Sequence, residues 1–146
     1  MIFLLIGFIL WKNKIYEKGT IVCTYTGIND LYKIHTEYQI NYKKDIVNYL
    51  ETTETIESND KKMLEKYQIN LHMIYDEYNS LDNYKNMIHL ENNKLTSITK
   101  INYAKLDIKE WININQNNKD LLEKNHVSLN KLKQIYQNNG ANCHYR

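Results

Sequence analysis

Between Tyr32 and Tyr42 the chain alternates strictly, with Tyr32, Ile34, Thr36, Tyr38, Ile40 and Tyr42 on one face and Lys33, His35, Glu37, Gln39 and Asn41 on the other. A period of two belongs to a half-buried antiparallel strand, not to a helix. One face of such a strand stays wet while the other requires cover, so the rest of the chain has to supply neighbouring strands and a helix with an apolar stripe.

The flanking segments meet that need. Thr20 to Thr26 is a β-branched run closed by Gly27 and Asn29-Asp30, which reads as a first strand ending in a turn. Lys43-Lys44-Asp45 forms a polar turn, and Ile46 to Ile56 resumes an extended run rich in Thr, Val and Ile. These three strands make a meander. Ser58-Asn59-Asp60 then offers helix-capping side chains, and the period changes: Leu64, Tyr67, Leu71, Ile74, Tyr75 and Tyr78 recur at helical spacing, predicting a helix over Asn59–Ser80 of about five turns. Alternation returns from Tyr84 to Leu90 and, after Asn92-Asn93, from Leu95 to Tyr103, which predicts a hairpin.

Two shorter helices are expected at the C-terminal end. Asp107 followed by Glu110 is a capping pair, with Leu106 and Trp111 placed as a hydrophobic staple. The continuation through Asn113, Asn115, Asn117 and Asn118 is too polar to extend that helix far. Ser128 opens a second helix, with Val127 set to staple onto Leu132, and Asn139-Gly140 closes it with a left-handed residue. The expected fold is α+β: an antiparallel sheet of about five strands, a meander plus a hairpin, packed by one long amphipathic helix.

The first residues follow a different rule. Met1 to Trp11 is apolar throughout and is followed at once by Lys12, Asn13 and Lys14. We expect residues 1–18 to be an N-terminal membrane anchor or signal-like segment and residues 19–146 to form one extracytoplasmic domain. A helix of this apolar run rises only about 16 Å against the ~30 Å of a bilayer core, so three readings stay open, a signal-sequence core, the end of an anchor that starts upstream, or an interfacial tail, with an N-terminal core strand or helix as the alternative to all three. The absence of a small-residue cleavage pattern favours an uncleaved anchor. Lys12 and Lys14 pull the other way, toward a cytoplasmic domain, by the positive-inside rule.

Composition narrows the partners. With 146 residues, 42% of them hydrophobic, the chain suits a single core. Its net charge of +2 is spread without a long run of one sign, and its basic residues are lysines apart from Arg146. Nucleic-acid recognition usually draws on arginine forks and on a continuous basic stripe, so no nucleic-acid partner is expected. The expected partner is the membrane, through the N-terminal segment.

Candidate chemistry is sparse. His72 and Asp76 stand one helical turn apart, but a metal site needs three or four ligands and no paired His or Cys motif accompanies them. His89-Leu90-Glu91 and Cys143-His144 are weaker still. There is no Gly-x-Ser-x-Gly, and four unclustered glycines leave no phosphate cradle. We therefore expect neither cofactor nor metal nor catalytic residue, and a non-enzymatic binding or structural role. The competing reading is a small hydrolase or metal-binding module assembled from dispersed residues such as His35, Glu37 and His89. The 13 tyrosines suit core packing or a stacking platform, and Tyr16, Tyr25, Tyr49 and Tyr84 are those whose side of the sheet the pattern does not decide.

The order of strands, a helix opened by Ser58-Asn59-Asp60-Lys61-Lys62, a hairpin ending Ile101-Asn102-Tyr103-Ala104-Lys105-Leu106-Asp107, and a Ser-Leu-capped helix ending Asn139-Gly140-Ala141 resembles the YehR-like family of small bacterial lipoproteins. The resemblance covers residues 19 to 143 in layout, and its most specific parts are Asn102–Trp111 and the closing helix. It implies an extracytoplasmic α+β domain of the cell envelope and carries no catalytic residues. The chain departs from that pattern at Cys23, which follows Thr20-Ile21-Val22 inside an expected strand instead of a lipobox.

Cys23 and Cys143 are the two cysteines of the chain, one in the first strand and one just after the last capped helix. Chain ends of compact domains often lie close together, so a Cys23–Cys143 disulfide is expected, with two separate buried thiols as the alternative. Such a bridge would place the domain in an oxidising compartment despite the two lysines.

Overall fold

The structure, a computed structural model, describes residues 17–146. The apolar run Met1–Trp11, on which the expected anchor rests, and Tyr16 lie outside the described residues. Among the described residues no helix is long and apolar enough to cross a membrane.

The meander forms as its pattern requires, with β1 (Lys18–Ile28), β2 (Lys33–Lys43) and β3 (Ile46–Glu57) paired antiparallel. The two-residue turn between β2 and β3 places Lys44 at φ 56°, and the register shifts once at Asn41/Tyr42. β1 runs beyond its expected end through Gly27. A Cβ at that position would lie 2.7 Å from the Tyr25 hydroxyl, so glycine leaves room for the tyrosine ring that lies along the same strand. The hairpin of β4 (Tyr84–Glu91) and β5 (Lys94–Ile101) turns at Asn92, φ 51°, and joins the meander through β5 and β3.

Among the described residues the sheet has six strands, not about five, because Asn142–Tyr145 (β8) adds an edge to give the order β4-β5-β3-β2-β1-β8. The added edge strand is β8 (Asn142–Tyr145), which pairs antiparallel with β1. Four residues reading Asn-Cys-His-Tyr are too short and too polar to announce a strand by alternation. Their pairing comes from the neighbour.

The long helix is shorter than expected. α1 spans Lys61–Tyr75, and a 3₁₀ turn follows at Tyr78–Ser80. Asp60 caps its start by accepting from the Met63 N–H at 3.0 Å. Beyond its end, short polar side chains compete for backbone groups: Ser80 Oγ donates to the Glu77 carbonyl at 2.7 Å, and Asn79 Oδ1 accepts from the Asn86 N–H at 2.6 Å. Those bonds serve a turn into β4 better than another helical turn.

After β5, α2 (Ile108–Ile114) is capped by Asp107, which accepts from the Lys109 and Glu110 N–H groups. A 3₁₀ segment (Gln116–Leu121) follows, and then the small hairpin β6 (Leu122–Glu123) and β7 (His126–Val127). Lys124 and Asn125 both have positive φ there, as a tight hairpin turn demands. α3 (Leu129–Asn138) is capped by the fully buried Ser128. The β2–β3 turn holds this cap: Asp45 accepts from Ser128 Oγ at 2.6 Å and from the Asn130 N–H at 2.9 Å. Gly140, at φ 91°, then turns the chain into β8.

Register sorts the covered face of the sheet into bands. At one end Ile21, Ile40, Leu50, Ile101 and Tyr84 line up across β1-β2-β3-β5-β4 and belong to the main core with Trp111, Leu129 and Leu132. At the other end Ile34, Ile56, Leu95 and Leu90 line up beneath α1, where Leu64 is fully buried. Between these apolar rows run two rows of different composition. One contains Thr36, Glu54 and Ser97, and the other Tyr38, Thr52, Thr99 and Asn86. The opposite face carries alternating polar residues, as the period of two implies.

Candidate functional site

Tyr38, Thr52, Glu54, Ser97 and Thr99 of the two polar rows form the floor of a cavity of about 410 Å³. α1 packs over β4 and β5 while α3 packs beside β8, and the helical cover is open between them. Ile74 of α1 and Ile135 of α3 line this cavity and remain 55% and 41% exposed, so they frame its mouth. Its volume falls in the range of pockets that take small organic ligands.

Aromatic rings form the walls. Tyr38 and Tyr136 stack with centroids 3.8 Å apart, Tyr78 and Tyr84 stack at 5.0 Å, and Tyr103 meets Trp111 edge-on at 5.3 Å. Burial raises the phenol pKa of Tyr38, Tyr75, Tyr84, Tyr103 and Tyr136, so these rings stay neutral and keep their O–H donors. Asn118 Nδ2 donates to the Trp111 carbonyl at 2.8 Å and to Tyr78 Oη at 3.3 Å, tying the 3₁₀ segment to the wall.

Glu54 is the acidic residue of the floor. Burial raises its carboxyl pKa, and the Thr36 hydroxyl, donating at 3.4 Å, offsets part of that rise. Its charge reaches the surrounding phenols and helps to raise Tyr38 and Tyr75. Two strands away on β4, Asn86 donates both amide protons, to Ser97 Oγ at 3.0 Å and Thr99 Oγ1 at 2.8 Å. Those hydroxyl oxygens are therefore acceptors toward Asn86, and their own protons are turned elsewhere. Asn86 Oδ1 is buried with no hydrogen-bond partner among the described residues.

The residues singled out from the sequence lie elsewhere. His35, Glu37 and His89 are on the opposite face of the sheet. His35 and His89 share a row with Thr55 and Thr96 between them, three strand spacings or about 14 Å apart. His35 Nδ1 is 2.9 Å from Thr26 Oγ1, and His89 Nε2 is 3.5 Å from Glu91. His72 and Asp76 do meet, at 3.1 Å on the exposed face of α1. Among the described residues no three His, Cys, Asp or Glu side chains are grouped to hold a metal. Cys143 is bonded to Cys23, so its sulfur is no free thiol beside His144. Of the tyrosines left undecided, Tyr84 joins the cavity wall, Tyr25 packs on the covered face, and Tyr49 donates to Glu51 at 3.1 Å on the opposite face.

Sequence reasoning passed over Glu54. Its signal is present nonetheless: Leu50, Thr52, Glu54 and Ile56 form one alternating set, so a glutamate stands at an inward position between Thr52 and Ile56.

No protein-family model matches the chain, and no curated protein matches it significantly. Solved structures do. A protein from Streptococcus pneumoniae TIGR4, determined by NMR, is similar with a TM-score of 0.56 at 17% identity, over 87% of this chain and 85% of that one. The NMR structure of Escherichia coli YehR is similar with a TM-score of 0.57 at 14% identity, over 86% of this chain and 90% of YehR. At these identities the likeness is one of fold, and the chain has a YehR-like fold.

Proposed function

We propose that this chain is a membrane-tethered, non-enzymatic binding domain of the cell envelope, related to the YehR-like domains, and that the tyrosine-walled cavity is its ligand site. The observation that carries the reading is the pair of polar rows running between two apolar cores on the covered face. A sheet face selected only for packing would continue its Ile, Leu and Val through those rows, since buried polar groups weaken a core unless fully satisfied. Instead the floor holds a desolvated carboxylate, with the hydroxyls of Thr52, Ser97 and Thr99 around it, beneath an open mouth.

The extracytoplasmic placement is supported by the Cys23–Cys143 disulfide, because such bridges persist in oxidising compartments. The membrane tether rests on the apolar run Met1–Trp11.

Amide spectra of the labelled full chain, recorded with mixtures of small organic compounds, test the binding site. Shifts gathered at Tyr38, Glu54, Tyr75, Ser97 and Tyr136 are expected. Shifts confined to the opposite face, around His35 and His89, would move the site there and end this reading. Labelling intact cells with a membrane-impermeant amine reagent tests placement: the lysines of the domain are expected to react, and protection until lysis would put the domain in the cytoplasm.

A further inference from the structure

We infer that the ligand of this cavity is a small organic cation, an alkylammonium group seated among the tyrosine rings with its charge toward Glu54. The inference rests on the cavity being a binding site and adds the chemical class.

Three observations converge on it. First, the residues lining the cavity include one acidic side chain, Glu54, and no Lys, Arg or His. An anionic ligand would meet a carboxylate with nothing to offset it, whereas a cation supplies the missing countercharge.

Second, Glu54 has no ion-pair partner among the described residues, and its hydrogen bond is the long one from Thr36. Two lysine–glutamate pairs of the sheet lie on the wet face, Glu51 with Lys100 at 3.4 Å and Glu57 with Lys94 at 3.9 Å. The lysines of β3's neighbour strand thus point away from Glu54. A carboxylate drawn out of water is costly when unpaired, and a bound cation would relieve that cost.

Third, the walls are neutral π-faces. Tyr38 from β2, Tyr75 from α1 and Tyr136 from α3 reach the cavity from three separate elements. Rings approaching from several sides, above a carboxylate, attract a poorly hydrated cation through their quadrupoles, and quaternary or alkylated ammonium groups benefit most because they shed water easily. A sugar would also use aromatic faces, but it gains from several polar partners around its rim. Here the mouth is framed by Ile74 and Ile135, which suit an alkyl substituent leading out to solvent, and Asn117 is the exposed polar residue of the lining.

The test uses the full chain, wild type and Glu54→Gln, titrated at neutral pH with four probes: tetramethylammonium, n-butylammonium, the neutral isostere tert-butanol, and methyl β-glucoside. Binding is followed by amide chemical shifts. The expected result is saturable shifts at Tyr38, Glu54, Tyr75 and Tyr136 with the two cations, at least tenfold weaker in Glu54→Gln, and little or no response to the neutral probes. Cavity shifts with tert-butanol or the glucoside equal to those with the cations, or cation binding unchanged in Glu54→Gln, would overturn the cation inference while leaving the cavity as a binding site. Absence of cavity shifts with all four probes would remove both. A Glu54→Gln spectrum that matches wild type outside the cavity serves as the check that the variant folds.

Discussion

Glu54 shows how one residue can mark a site inside a packing surface. It occupies an inward position of β3, flanked in its row by Thr36 and Ser97, where an apolar side chain would bridge the two cores. Burial raises its pKa above the ordinary 4.5, so the folded state binds the proton more tightly than the unfolded chain. The contribution of this group to stability is therefore fully present below the unfolded pKa and is lost as pH rises through the folded one. Glu54→Gln removes the titration while keeping the shape. We expect its melting temperature to exceed that of wild type at neutral pH, with the difference shrinking toward zero below the ordinary glutamate pKa. Thermal melts of both proteins across that range check it, and a variant less stable at neutral pH would show that the charged carboxylate is held by favourable contacts.

Elements meet through caps as much as through apolar stripes. α3 is docked on the β2–β3 turn by Asp45, which takes hydrogen bonds from the Ser128 hydroxyl and the Asn130 N–H. Because Ser128 is fully buried and also caps the helix, Ser128→Ala should cost about 0.5–2 kcal/mol, read from denaturant midpoints. Among strands, β2 and β3 lie inside the sheet and are flanked on both sides, whereas β4 and β8 are its edges. Hydrogen–deuterium exchange should therefore be slowest at the amides of β2 and β3, which open only on global unfolding, and faster in the short edge strand β8. Equal protection of β8 and β2 would show that the C-terminal edge is covered by something more than its pairing to β1.

For the whole molecule, the Cys23–Cys143 bond joins β1 to the last strand across 120 residues of chain. Such a bridge limits the unfolded ensemble over nearly the entire domain, and its removal in Cys143→Ser should cost about 2–5 kcal/mol. Mass spectrometry after alkylation without reductant is expected to find both cysteines unmodified, and denaturant midpoints with and without reductant give the energetic effect. Two freely alkylated thiols would remove both the bridge and the support it lends to an extracytoplasmic placement. The same bond secures the closing element of a face whose other cover, α1, stands apart on β4 and β5. The cavity between these covers is therefore a property of the assembled fold.

How much of this was legible in the chain follows from the range of the forces involved. Strict alternation along Tyr32–Tyr42, the β-branched runs around it, and the capping residues Asp60, Asp107 and Ser128 act over a few neighbours, so they declare strands, helix starts and turns in the sequence itself. The hairpin at Asn92 and the left-handed Gly140 belong to the same local class. The two cysteines pointed to the proximity of the chain ends because a covalent constraint needs no periodicity. Other features depend on partners far away in sequence. β8 is a strand because β1 offers it an edge, and α1 stops at Tyr75 because Asn79 and Ser80 find backbone partners in the turn toward β4. The site depends most on tertiary structure. Thr52, Glu54, Ser97 and Thr99 each look like isolated polar residues in an alternating strand, and strand register alone brings them into adjoining rows. Local alternation told which residues of the central strands face inward, though not on which side Tyr25, Tyr49 and Tyr84 would fall; that α1 and α3 leave the centre of the covered face open came from the assembled fold, because the placement of each helix is set by long-range packing against opposite ends of the sheet.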